Sequence, residues 1–160
     1  MDASVGGERT MVSAHDVAAY ILERHNPISA MKLQKLVYYA QAWSLVWDDR
    51  PLFPERIEAW ANGPVVRDLY ERHRGHFQLR GWRWGRPDRL DDNARATVDA
   101  VLEYYGPRSA QWLSDLTHRE EPWKQARQGL PEGERGDREI SLESMMEYYS
   151  SLPPDAEEAR

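Results

Sequence analysis

The sequence predicts a mainly α fold: a compact single-domain helical bundle of about six or seven helices, with room for a small two-stranded β element. Three observations carry that prediction. Apolar residues recur at helical spacing along most of the chain, Ser or Asp precedes most of these stretches where an N-cap belongs, and Gly or Pro closes several of them. A length of 160 residues suits one domain and is enough to bury a core without disulfide or metal staples. With 41% hydrophobic residues, seven Trp and eight Tyr, the chain is too apolar and aromatic to be disordered.

Ser13 opens the first helix, with Asp16 as the second half of a capping box and Val12 placed to staple onto Val17. Val17, Tyr20, Ile21 and Arg24 follow at helical spacing, and Asn26-Pro27 ends the run. Ser29 caps a second helix whose Leu33, Leu36, Val37, Ala40, Trp43 and Trp47 form one stripe, widened by Tyr38, Tyr39 and Leu45. A helix apolar nearly all round belongs at the centre of a bundle. Arg50-Pro51 and Phe53-Pro54 break the pattern, and Ile57 to Trp60 alternates as a short strand would, with part of the Trp82 to Trp84 stretch as its candidate partner.

Asn62-Gly63-Pro64 predicts the start of a third helix, with Pro64 in its first turn, Val65, Val66, Leu69 and Tyr70 on its buried stripe, and Gly75 as its stop. Residues 76–90 hold Gly81, Gly85 and Pro87 among Arg and Trp, the makings of an ordered hairpin or long loop. A fourth helix runs from a cap at Asp91 or Asp92 to Gly106-Pro107. A fifth starts at Ser109 with Trp112, Leu113 and Leu116 inward, and a short sixth carries Pro122, Trp123 and Ala126. A polar loop over 128–138 precedes a last helix capped by Ser141, with Leu142, Met145, Met146 and Tyr149 apolar. The domain is expected over 13–150, between a flexible N-terminus (1–12) and a disordered acidic tail (151–160).

Charge and composition remove several function classes. Without cysteine there is no thiol catalysis, disulfide, thiolate metal site or iron–sulfur cluster. No apolar run approaches the roughly 20 residues that span a bilayer, so a cytoplasmic protein with no membrane partner is expected. A net charge of −6 disfavours nonspecific binding to nucleic acid or anionic lipid. One basic island interrupts it: residues 67–89 carry 7 basic against 3 acidic groups. The five histidines, at 15, 25, 73, 76 and 118, give no metal-binding spacing, and no phosphate-cradling loop or nucleophile elbow is present. The carboxylate pairs read as solvated helix ends. No cofactor, no metal and no enzymatic activity are expected, nor a deep pocket collecting two ionisable side chains.

The stretch Ile28 to Trp43, with Lys32-Leu33-Gln34-Lys35-Leu36 at its centre, is followed in order by Pro51-Leu52-Phe53, Glu58-Ala59-Trp60, Gly63-Pro64-Val65, Leu69-Tyr70, Leu113 to Thr117-His118 and Glu121-Pro122-Trp123. Together these resemble the Panacea antitoxin domain, also called SocA-like and long described as phage-associated, over about residues 14–150. The resemblance implies an antitoxin that blocks a cognate toxin, encoded nearby, by direct contact. Some members are thought to act instead as adaptors that hand the toxin to a protease, and the sequence leaves both routes open. The extra DNA-binding region of some relatives has no counterpart here, and operator binding is left open. Self-association stays open.

Two groups of residues stand out. The motif residues Leu33, Gln34, Lys35, Leu36, Trp60, Gly63, Pro64, Thr117, His118, Pro122 and Trp123 are expected to be mostly structural: Trp60 packs under the Gly63-Pro64 turn, and His118 binds the last carbonyls of its helix. The segment Arg80-Gly81-Trp82-Arg83-Trp84-Gly85-Arg86, if extended, puts Trp82 and Trp84 on one face and Arg83 on the other. It is either a satellite core under a long loop or a contact arm, because Trp and Arg are enriched at interface hot spots. Tyr70, His73, Arg74, Arg80, Trp82, Arg83 and Trp84 are therefore the candidate partner-binding residues. Binding of single-stranded nucleic acid through residues 80–86 is the runner-up.

Overall fold

The computed structural model describes residues 12–152, and the expectations of a flexible start and a disordered tail fall largely outside them. Seven α-helices are present among the described residues: α1 (Ala14–Arg24), α2 (Ala30–Asp48), α3 (Arg67–His73), α4 (Asp92–Tyr105), α5 (Ala110–Arg119), α6 (Glu121–Ala126) and α7 (Leu142–Ser150). Two short antiparallel pairs join them, β1 (Ile28–Ser29) with β4 (Gln78–Leu79) and β2 (Ile57–Trp60) with β3 (Gly63–Val66). The expected mainly α bundle with a small β element is what forms.

Local chemistry starts five of the helices. Ser13 closes a capping box with Asp16, and Ser29, Asp91, Ser109 and Ser141 each accept an N–H from the first turn of α2, α4, α5 and α7. The central element is α2, whose Leu33, Leu36, Val37 and Ala40 are solvent-free and which packs against α4, α5, α7 and β3. Its aromatic residues tie the bundle together. Trp43 Nε1 donates to Tyr105 Oη at 3.0 Å, Tyr39 stacks on Tyr105 with centroids 4.1 Å apart, and the Glu120 carboxylate accepts from Tyr39 at 2.8 Å and Tyr149 at 2.6 Å. Burial first, then Glu120 nearby, pushes the Tyr39 phenol well above its ordinary value; for Tyr149, burial leads again, followed by Tyr38 and Glu120. Both stay protonated and able to donate.

Two expectations fail in the same place. Pro64 does not open a helix, and the partner of Ile57 to Trp60 is not the Trp82 to Trp84 stretch. The strand instead turns back on itself through Ala61-Asn62 and pairs with β3, in register from Ile57↔Val66 to Trp60↔Gly63. Gly63 makes this possible with φ +123, a backbone conformation that side-chain-bearing residues rarely adopt. Pro64 is harmless in the strand because its partner Ala59 sends both backbone groups outward, the N–H to Arg138 O at 2.8 Å and the carbonyl to Arg127 Nη1 at 3.1 Å. A partner strand that begins three residues after Trp60 also costs far less loop entropy than one about twenty away. The helix then starts later, at Arg67.

The stretch after α3 is ordered but not extended. After β4 it turns through Gly81 to Gly85 and a 3-10 turn at Pro87–Arg89. It is bolted to the start of α1: Arg86 N–H donates to Asp16 Oδ1 at 2.8 Å, and Gly85 lies so close to the His15 carbonyl that a Cβ there would collide with it.

Candidate functional site

The β2–β3 turn is held by one corner of the bundle. Four successive backbone carbonyls each accept a hydrogen bond from a side chain on or just after α5 and α6: Ala59 from Arg127 Nη1 (3.1 Å), Trp60 from Trp123 Nε1 (2.8 Å), Ala61 from His118 Nε2 (2.9 Å) and Asn62 from Ser114 Oγ (2.8 Å). His118 also contacts Ser114 O through Nδ1 at 2.6 Å, a carbonyl inside its helix rather than one of the last carbonyls expected from the sequence. The bond to Ala61 is the additional finding. Pro122 stands in the first turn of α6, which aims Trp123 at the hairpin.

From the opposite side the turn is seated on α2. A Cβ at Gly63 would lie 2.6 Å from Lys35 Cε and 3.2 Å from Thr117 Oγ1, so any side chain there would displace the end of Lys35 as well as strain the backbone at its φ. Gln34 forms a backbone-like pair with Val66, accepting its N–H at 2.8 Å and donating to its carbonyl at 3.2 Å. The second amide hydrogen of Gln34 meets His73 Nε2 at 3.0 Å. Burial pushes the His73 imidazole below its ordinary range, so the neutral ring accepts that hydrogen. Leu33 and Leu36 face the core. Apart from Leu33 and Leu36, the motif residues thus converge on one hairpin, with Gln34, His118 and Trp123 bonded to its backbone and Lys35 and Thr117 packed against Gly63.

The clamp creates a half-open cleft of about 790 Å³ between α2, the hairpin, α3 and the segment 135–137. Gln34, Lys35, Trp60, Arg67, Tyr70, His73, Arg74 and Arg135 are among its lining residues, together with Glu71 and Asp137. This overturns the expectation that no deep pocket would gather ionisable side chains. Trp60 and Tyr70 meet edge to face with centroids 4.8 Å apart and form an aromatic wall. Arg67 is engaged with the buried Glu58 carboxylate at 3.0 Å, and Arg74 with Glu71 at 3.6 Å. Lys35 is fully buried, and burial lowers its amine from the ordinary lysine range to about 8. Its ammonium has one long hydrogen bond, 3.4 Å to Pro64 O, and no carboxylate partner among the described residues.

The candidate partner-binding residues fall into two sets. Tyr70, His73 and Arg74 line the cleft; Arg80, Trp82, Arg83 and Trp84 lie outside its lining. Trp82 is only 7% exposed, stacked beside His15 and edge-on to His73, with its indole N–H donated to His15 Nδ1 at 3.1 Å. It backs the cleft wall. Trp84 touches Trp82 at 5.0 Å but stays 38% exposed, flanked by the guanidinium groups of Arg72 and Arg83. Arg83 therefore lies over Trp84 rather than on an opposite face. Arg80 is exposed beside them. Sequence reading missed Arg67, Arg127, Arg135 and Glu58. For Glu58 a signal existed, a carboxylate two residues before Trp60 and so on the same face of an expected strand; the three arginines carry none that is local.

Among the described residues no group of His, Asp or Glu has the arrangement to hold a metal ion. The family model described as antitoxin SocA-like, Panacea domain matches residues 33–124. No curated protein and no solved structure matches the chain.

Proposed function

Because this chain belongs to the antitoxin SocA-like, Panacea domain family, we propose that it is an antitoxin that captures a cognate protein toxin, encoded beside it, stoichiometrically and without turnover. The match across residues 33–124 carries this reading, since it takes in the hairpin and the clamp that holds it up to Trp123. The surface beside the cleft supports it. Phe77 is 76% exposed and Trp84 38%, next to Arg80 and Arg83, a mixture of residue types suited to a protein interface. No helix among the described residues is long and apolar enough to cross a membrane, and on this reading capture takes place in the cytoplasm.

Co-expression tests the proposal. The product of the neighbouring gene arrests growth when expressed alone; the arrest is relieved by this chain, and the two proteins co-purify at equal stoichiometry. Relief accompanied by disappearance of the toxin, restored to co-purification in a protease-deficient host, assigns the adaptor route instead. A neighbouring product that is harmless, or a toxin that neither binds nor is relieved, overturns the reading.

A further inference from the structure

Resting on the antitoxin reading, we propose that the cleft between α2, the β2–β3 hairpin and α3 is the receptor for an acidic segment of the toxin, a carboxylate side chain with an aromatic or apolar neighbour. There is room: about 790 Å³ lies within the roughly 300–1,000 Å³ of small-ligand pockets, enough for a carboxylate side chain and its neighbour. The charge fits as well. Lys35, Arg67, Arg74 and Arg135 stand against Glu71 and Asp137 in the lining and against Glu58 behind Arg67, so the cleft keeps an excess of positive charge inside a chain of net charge −6.

Not all of those cations are available. Arg67 and Arg74 already hold carboxylates of this chain, whereas exposed Arg135 forms no ion pair among the described residues. Lys35 is the informative one. A buried ammonium without a counter-charge costs several kcal/mol of desolvation that a well-packed apolar side chain would avoid. It lies in the lining at the inner side of the half-open cleft, with a single long hydrogen bond to Pro64 O. An entering carboxylate supplies the missing counter-charge, and the Trp60–Tyr70 wall receives its apolar neighbour. Tyr70 and Trp60 are also of the residue types that dominate hot spots.

The test uses the full chain and the neighbouring toxin. Arg74→Glu and Arg135→Glu change exposed side chains and leave the melting curve intact; combined, they weaken toxin binding on the order of 100-fold, as reversal of interface charge does. Lys35→Met weakens it too, while Arg119→Glu, a reversal away from the cleft, leaves affinity unchanged. Replacing Tyr70 with p-benzoylphenylalanine and irradiating the complex yields a cross-linked toxin peptide containing Asp or Glu. Tight binding by wild type that all three cleft variants retain, or a cross-link to a basic toxin segment, overturns the cleft assignment and leaves the antitoxin reading standing. Absence of binding by wild type removes both. A self-dimer, or salt-sensitive binding of an oligonucleotide, that the same reversals abolish also overturns it.

Discussion

Lys35 shows how one side chain can set a cost against a use. Its amine is lowered to about 8 in the folded protein, by burial, against 10.5 when exposed. Between those values the unfolded chain holds a proton that the folded chain has released, so stability rises with pH over that window; below about pH 8 the folded state carries the buried charge and its full penalty. Lys35→Met is expected to be more stable than wild type at pH 7 by roughly 3 kcal/mol, the value of the shift at about 1.4 kcal/mol per unit. That advantage shrinks at pH 9 to 10. Urea unfolding of both proteins at pH 7 and pH 9 checks it, and an equal difference at both values contradicts it. A stabilised variant that binds toxin less well would separate folding from recognition at a single atom.

Among the elements, the segment from Arg80 to Arg86 divides its two tryptophans between support and contact. Trp82 is buried beside His15 and His73, so Trp82→Ala is expected to cost about 3–5 kcal/mol, as truncation of a buried aromatic does. Trp84→Ala removes a half-exposed ring and is expected to cost under about 1 kcal/mol while weakening toxin binding. Thermal melts and affinity of the two single variants test this; equal melting losses would make both residues core. The same segment shows what the sequence made legible. Caps at Ser13, Ser29, Asp91, Ser109 and Ser141 could be read because their partners lie within three residues. Pro64 was misread because a helix-start preference and a hairpin compete there, and the hairpin prevails through side chains 52 to 68 residues away, from Ser114 to Arg127. The cleft was illegible for a like reason: its walls come from residues 30 to 137, and no local pattern announces where they meet.

For the molecule as a whole, Glu120 is the point where α2, α7 and the α5–α6 corner meet, through Tyr39 and Tyr149. Glu120→Gln keeps a carbonyl oxygen for the phenols and is expected to cost about 1 kcal/mol. Glu120→Ala leaves two buried hydroxyls without that acceptor and is expected to cost roughly 2–5 kcal/mol. Circular dichroism and tryptophan fluorescence should report one coincident transition at lower urea; separated transitions would mean that α7 comes away by itself.

The four bonds that hold the hairpin turn end on peptide oxygens, and a peptide oxygen is the same whatever residue bears it. At Ala61 and Asn62 the side chains are therefore free to be exchanged without loosening the frame that presents them, whereas the Trp60 ring is itself tied to Glu58 and Tyr70. A lineage meeting a new adversary can rewrite these two letters, and with them the lip of the proposed receptor, while the scaffold beneath stays put.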